Sequence, residues 1–315
     1  MGELRKDYIL DKYVIIATER AKRPDQFKLE PNINEEKIDY FAPGNEHLTP
    51  PEILRYPHDA QDWKIRVFPN KFAAVNNKGN HKIKTDNKYY TYADAYGYHE
   101  IIVECPDITK ELADLSVDEI EQLLRIYSNR ITELSKKEGI KYVSVFKNNG
   151  RDAGTSIAHT HSQVIAYNIV PIHIKEEENV HKEKNKDLYG EIIESEKNSK
   201  RRIMENETMI SFCPYASRFP MEAWIFPKRN ICNITEFSEE EYKDFAKILK
   251  NILVKLKSIN ASYNFDLHYG IKNVRFHMEI MPRITKWAGF EHATGTIINV
   301  VSPEDAAKFY RDWVV

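Results

Sequence analysis

The sequence predicts an α+β protein in which one unit is used twice, each copy a mainly antiparallel sheet with packed helices. Three observations carry that expectation. Two long amphipathic helices open with the same cap, an apolar strand ending in proline precedes each, and two further strands follow each. Repetition of a whole strand–helix–strand order is the signature of an internally duplicated fold.

Taken in order, "HEIIVECPDITKELADLS" gives a strand and a short loop into the first helix. That helix, "SVDEIEQLLRIYSNRITELSKKEG", starts with Ser116 and Glu119 in capping-box spacing. Ile120, Leu123, Leu124, Tyr127, Ile131 and Leu134 make one apolar stripe, and Gly139 suits the C-terminal stop. The strands "KYVSVFKNN" and the one carrying "HTHSQVIA" come next. In the second copy, "MEAWIFPKRNICNITEFS" leads into a helix capped by Ser238 and Glu241, with Tyr242, Phe245, Leu249, Ile252 and Leu256 on its apolar face. "YNFDLHYGI" and "FHMEIMP" follow as strands. Glu100 precedes Ser116 by the same interval as Glu222 precedes Ser238. Between the copies, "IHIKEEENVHKEKNKDLYGEIIESEKNSKRR" is nearly all charged and reads as a solvated helix or linker. The expected domains are therefore 1–190 and 191–315. Residues 76–95 read as a polar surface loop.

Composition excludes several classes. A net charge of −2 supplies no field for nucleic acid or an anionic membrane. No run of about eighteen apolar residues offers a membrane span, and the start "MGELRKDYIL" lacks a signal-peptide stretch. Cys105, Cys213 and Cys232 are odd in number and far apart, which argues against a disulfide framework. A cytoplasmic location is expected.

In "HTHSQ", side chains two apart share one face of a strand, so His159, His161 and Gln163 project together and Thr160 and Ser162 point the other way. The row could be a hydrogen-bonded polar face, part of a metal site, or a nucleophile. The preceding "NNGRDAGTS" favours chemistry: its glycines let backbone N–H groups approach an anion, and Thr155 and Ser156 add hydroxyls. A neutral imidazole there can attack phosphorus and divide one displacement into two.

His-x-His-x-Gln after such a loop resembles the galactose-1-phosphate uridylyltransferase family, a branch of the histidine-triad superfamily. "ERAKRPDQF", "RVFPNKFAAV", "NNGRDAGTS" and "MEIMPRITKWAGFEHATG" resemble further family segments in the same order. The resemblance implies two tandem histidine-triad-like domains, only the first carrying the nucleophile. It implies that His161 attacks the α-phosphorus of a nucleoside diphosphate sugar, that the His159 carbonyl holds its ring, and that Gln163 bonds a phosphoryl oxygen. An amide cannot deliver a proton, so glutamine suits transfer between phosphates. Arg20 and Arg23 would meet the diphosphate. Asn70 and Asn148 would contact the nucleoside, Gly154, Thr155 and Ser156 would form the phosphate loop, and Phe290 and Glu291 would lie near the sugar. A homodimer is implied as well.

Three departures from the family pattern bear on metal and substrate. Asp39 and Ala42 stand at the positions of a Cys-x-x-Cys pair, and Ile108 stands for a histidine, so no structural zinc is expected in the first domain. Tyr40 and Phe41 would pack in its place. A second site, with Glu177, His268, His277 and Glu279 as candidates, is open between one zinc or iron ion and a hydrogen-bonded polar face. Thr160 and Ser162 replace the usual proline and glycine, and Lys71 an aspartate often found after the asparagine, which leans toward relatives that use inorganic phosphate as acceptor. The expected function is transfer of a nucleoside monophosphate from UDP-glucose to galactose 1-phosphate through a nucleotidyl-histidine. Phosphorolysis of a nucleoside diphosphate hexose is the alternative, and a non-catalytic nucleotide-binding protein a third possibility. Nucleobase and acceptor stay open.

Overall fold

The computed structural model describes residues 2–22, 38–270 and 274–312. The chain forms two compact units, one of Asn34–Lys147 with Ser156–Ile172, the other of Met1–Ile33, Asn148–Thr155 and His173–Val315.

The first unit is built on strands β1 (Leu54–Tyr56), β2 (Ile65–Pro69), β3 (Gly97–Val103), β4 (Tyr142–Asn149) and β5 (His161–Tyr167). They lie in the order β4-β5-β3-β2-β1, every neighbour antiparallel. Helix α1 (Val117–Ser135) carries the expected capping box: Glu119 N–H donates to Ser116 Oγ at 3.2 Å, and Ser116 N–H to Glu119 Oε2 at 2.7 Å. All six residues of its predicted stripe are buried, each burial contributing on the order of 1.5–3 kcal/mol. The helix stops at Ser135, and Gly139 then turns the chain at φ +78°, with His81 against the place a Cβ would take.

The second unit repeats the plan. Strands β6 (Arg202–Glu205), β7 (Met209–Phe212), β8 (Ala223–Pro227), β9 (Tyr263–His268) and β10 (His277–Pro282) lie in the order β6-β7-β8-β10-β9, again all antiparallel. In both sheets the last strand inserts between the strand before the long helix and the strand after it. The helix Glu239–Ser258 has the same box, with distances of 3.2 and 2.7 Å between Ser238 and Glu241. The matched glutamates are both buried and both bind arginine: Glu100 takes Arg130 at 2.7 and 2.8 Å, Glu222 takes Arg218 at 2.7 Å. A small sheet of Glu3–Lys6, Tyr13–Ile16 and Ile297–Asn299 completes this unit.

The charged stretch between the copies is helical, one of the two alternatives, but it is not solvated on every side. It forms helices Ile172–Lys184 and Leu188–Lys197, and the first buries Ile174, Glu177 and His181. Those residues lie three and four apart on one face, but two of them are ionisable, so hydropathy hides the buried side. Residues 76–95 are exposed apart from His81 and Ala93, as a surface loop should be. Among the described residues no helix is long and apolar enough to cross a membrane.

Candidate active site

His161 opens β5, where it pairs with Val103. Its Nδ1 lies 2.8 Å from the His159 carbonyl. A carbonyl only accepts, so the proton sits on Nδ1 and the lone pair on Nε2. Burial, then the field of Lys147, pushes the imidazole down to about 4, so it is neutral at physiological pH. Phe41 packs its ring edge-on at 5.4 Å. Gln163, on the same face, places Oε1 2.8 Å from His99 Nε2.

Thr160 and Ser162 do face the other way, into a buried network that sequence reasoning did not foresee. Glu104 accepts from Lys147 Nζ at 2.6 Å, from Thr160 Oγ1 at 2.5 Å and from Ser162 Oγ. Lys147 also donates to Thr160 Oγ1 at 2.8 Å and to the His161 carbonyl at 3.1 Å. Tyr127, from α1, reaches Ser162 Oγ at 2.5 Å. Burial works to raise the Glu104 carboxyl, but Lys147 and the hydroxyl donors hold it below the usual carboxylate range. The strand carrying His161 is thus tied down from behind by a fully satisfied ion pair. The hydroxyls at the two departing positions were the available clue.

His159 is fully buried between two acceptors, with Nδ1 2.8 Å from Asp39 Oδ2 and Nε2 2.7 Å from the Cys105 carbonyl. Both ring nitrogens are engaged by protein oxygens. Burial pushes the nearby Cys105 thiol up to about 11. Of the residues expected to fill the space by packing, Phe41 is buried but Tyr40 is 45% exposed. Asp39 bridging to His159 is what takes the other part of that role.

Asn70 and Ser156 belong to this first unit as well. Asn70 lies just beyond β2, its Oδ1 accepting from Phe72 N at 2.8 Å and its Nδ2 3.1 Å from His99 Nε2; Ser156 is exposed. The other predicted substrate residues fall in the second unit. Arg20 has a buried Nε without a hydrogen-bond partner among the described residues; Arg23 lies outside the described residues. Asn148 Oδ1 accepts from Asn264 Nδ2 at 2.7 Å. Gly154 sits at φ +84° with open space where a Cβ would go. The loop's backbone donors turn inward: Ala153 and Thr155 N–H bond Gly150, Gly154 N–H bonds Arg151, and Thr155 Oγ1 donates to the Asn148 carbonyl at 2.6 Å. Gly154 borders a cleft of about 410 Å³ with Asn264, Arg283, Lys286, Trp287 and His292, of which sequence reasoning named none. Phe290 is 45% exposed on the short helix Gly289–Thr294, where Glu291 caps the Ala288 N–H at 2.9 Å.

The four metal candidates also meet in the second unit. Ligand atoms of His268, His277 and Glu279 lie within 4.8 Å of one another, all buried. Glu177 Oε2 is 2.7 Å from His268 Nε2. His277 Nδ1 lies 3.0 Å from the Arg275 carbonyl, and its Nε2 is a buried atom without a hydrogen-bond partner. That is how a ligating imidazole is oriented, by a carbonyl behind it with the lone pair forward. Arg218 takes Glu279 Oε2 at 2.6 Å, and Oε1 faces His277 Nε2 at 3.6 Å. Burial disfavours charge on His268, yet Glu177, Glu279 and Asp266 raise it to about 9, so the pocket's field favours a cation. The donors fit a zinc or iron ion, held by His268, His277 and Glu279 with Glu177 beside them. Such an ion, when bound, would balance the charge of the carboxylates there.

Sequence profiles decide the family. That of the galactose-1-phosphate uridyl transferase N-terminal domain matches residues 2–171, and that of its C-terminal domain residues 171–294. The chain belongs to this family. Within it, the chain is 30% identical to ADP-glucose phosphorylase of Arabidopsis thaliana, over 98% of this chain and 92% of that one. It is 28% identical to galactose-1-phosphate uridylyltransferase of Thermotoga maritima, over 99% and 98%. The crystal structure of the Arabidopsis ADP-glucose phosphorylase with bound ADP-glucose matches with a TM-score of 0.85 at 28% identity, covering 100% of both chains. A solved uridylyltransferase, with a TM-score of 0.75 at 24% identity, shares the fold. The protein is an enzyme of the nucleotidyltransferase and phosphorylase kind found in this family.

Proposed function

We propose that the protein is a nucleoside-diphosphate-hexose phosphorylase, with ADP-glucose as the leading substrate, working through a nucleotidyl group on His161. The observation that carries the chemistry is the His161 ring itself. Its Nδ1 is anchored on the His159 carbonyl, and the imidazole is neutral with its lone pair on Nε2. In the first step Nε2 bonds to the α-phosphorus, the bond to the bridging oxygen breaks, and hexose 1-phosphate leaves with the electron pair. As positive charge develops on the ring, the Nδ1–H bond to the carbonyl strengthens. In the second step an oxygen of inorganic phosphate attacks the same phosphorus, the P–N bond breaks, and the nucleoside diphosphate leaves with the imidazole neutral again. Neither leaving group needs a strong acid, in keeping with an amide at Gln163.

The choice of phosphate as acceptor and adenosine as base draws support from the end-to-end similarity to ADP-glucose phosphorylase. Transfer from UDP-glucose to galactose 1-phosphate is the second reading, favoured by the similarity to the Thermotoga uridylyltransferase. A homodimer is proposed on the family resemblance. The test gives the enzyme ADP-glucose or UDP-glucose radiolabelled in the α-phosphate, then phosphate or galactose 1-phosphate. Acid-labile label on His161 from ADP-glucose, discharged by phosphate, is expected. Label from UDP-glucose alone, discharged only by galactose 1-phosphate, selects the second reading, and no label with either rejects both.

A further inference from the structure

The imidazole of His99, in β3, is absent from the mechanism above, yet its bonds dictate which way the Gln163 amide points. One partner of the ring is a group that cannot flip. The Ala74 backbone N–H lies 3.1 Å from His99 Nδ1. A backbone amide only donates, so Nδ1 carries the lone pair and Nε2 the proton. Two side-chain amides lie near that proton. Asn70 is fixed by accepting from Phe72 N through Oδ1, so its NH2, 3.1 Å from His99 Nε2, is a second donor beside that proton and not its acceptor. The nearer Gln163 Oε1, at 2.8 Å, takes the bond. The ring is only 9% exposed, and burial, opposed by the Gln163 bond, lowers its tendency to take a second proton.

We propose that His99 is a positioning residue: it binds the Gln163 carbonyl oxygen, so that the Gln163 NH2 is what the α-phosphoryl group meets when it is attached to His161. This rests on the His161 reading above. A glutamine amide has two orientations of nearly equal shape. One offers a donor to a phosphoryl oxygen, and the other sets a carbonyl oxygen against it. By holding that carbonyl, the His99 N–H removes the second orientation and polarises the amide, which makes its N–H groups better donors.

The test is a double-mutant cycle on single-turnover nucleotidylation, using whichever of ADP-glucose or UDP-glucose, labelled in the α-phosphate, labels the wild type. His99→Phe keeps a ring and removes the donor, and His99→Leu, also without a donor, runs beside it in case the first does not fold; Tm is read for every protein. Gln163→Ala alone is expected to slow labelling about 10²-fold, as loss of a donor to a developing charge does, and His99→Phe alone about tenfold. In the Gln163→Ala background the His99 change is expected to cost less than twofold, because residues acting through one another do not add. Equal cost in both backgrounds, or no cost in the wild-type background, overturns the proposal. His161→Asn is the separate control. Label surviving in that variant sinks the nucleophile assignment itself, an outcome distinct from additivity at His99 and Gln163.

Discussion

His161 and His277 occupy like places in the two units: each is the first residue of the strand inserted last into its sheet, and each directs Nδ1 at the carbonyl two residues earlier, at 2.8 and 3.0 Å. Their surroundings are opposite. Behind His161 sits a buried ammonium, Lys147, while Gln163 on its own face is uncharged. Beside His277 stand Glu279, its Oε1 3.6 Å from Nε2, Phe226 stacked on the ring at 4.3 Å, and His268 at 4.4 Å, itself faced by Glu177, Glu279 and Asp266. Burial first, then the neighbouring cation, keeps the His161 ring neutral. The carboxylates instead favour positive charge on His268, next to His277. The duplicated backbone prepares the same lone pair twice, and the charges around it decide its use.

The largest effect expected from breaking this contrast is at His161. His161→Asn should cut nucleotidylation at least about 10³-fold while Tm and metal content stay near wild type. His277→Ala should do the reverse in kind, with metal measured by plasma emission falling to background and Tm dropping, while His161 in the surviving folded protein can still be labelled. Lys147→Met leaves Glu104 buried without its cation. It should cost about 3–5 kcal/mol by urea unfolding, with much of that recovered in the Lys147→Met, Glu104→Gln pair. The pH profile sharpens the comparison further. His161 at about 4 lies below its free value of about 6.5, so labelling should pass through pH 6.5 without an inflection from this group and fall only toward pH 4. Between those values the unfolded chain binds a proton there that the native state refuses, so this residue makes stability fall as pH falls. Ser162→Gly, the smallest change, removes one of several donors to Glu104. It should lower stability by about 1 kcal/mol and leave the labelling rate within twofold.

Most of the fold could be read from the chain because its signals are local. Ser116 with Glu119, and Ser238 with Glu241, announce their helices within four residues, and the apolar stripes need only one turn of context. The row at His159–Gln163 was legible for the same reason, since strand alternation is a two-residue rule. What escaped depends on distant partners. Asp39 meets His159 across 120 positions, and Glu104 collects Lys147, Thr160 and Ser162 from more than forty positions away. The buried face of Ile172–Lys184 was missed because Glu177 and His181 look solvated until their surroundings are known. His99 gave only a polar residue at the head of an apolar strand, and its meaning lies in the tautomer that Ala74 imposes.

Consider finally the clamp of Asp39 and the Cys105 carbonyl on His159. Where two thiolates would gather an ion, this chain fastens the root of its reactive strand with a carboxylate and a peptide oxygen, and the one thiol nearby stays protonated. The root of the strand that carries His161 is therefore held by two protein oxygens, with no thiolate in the contact.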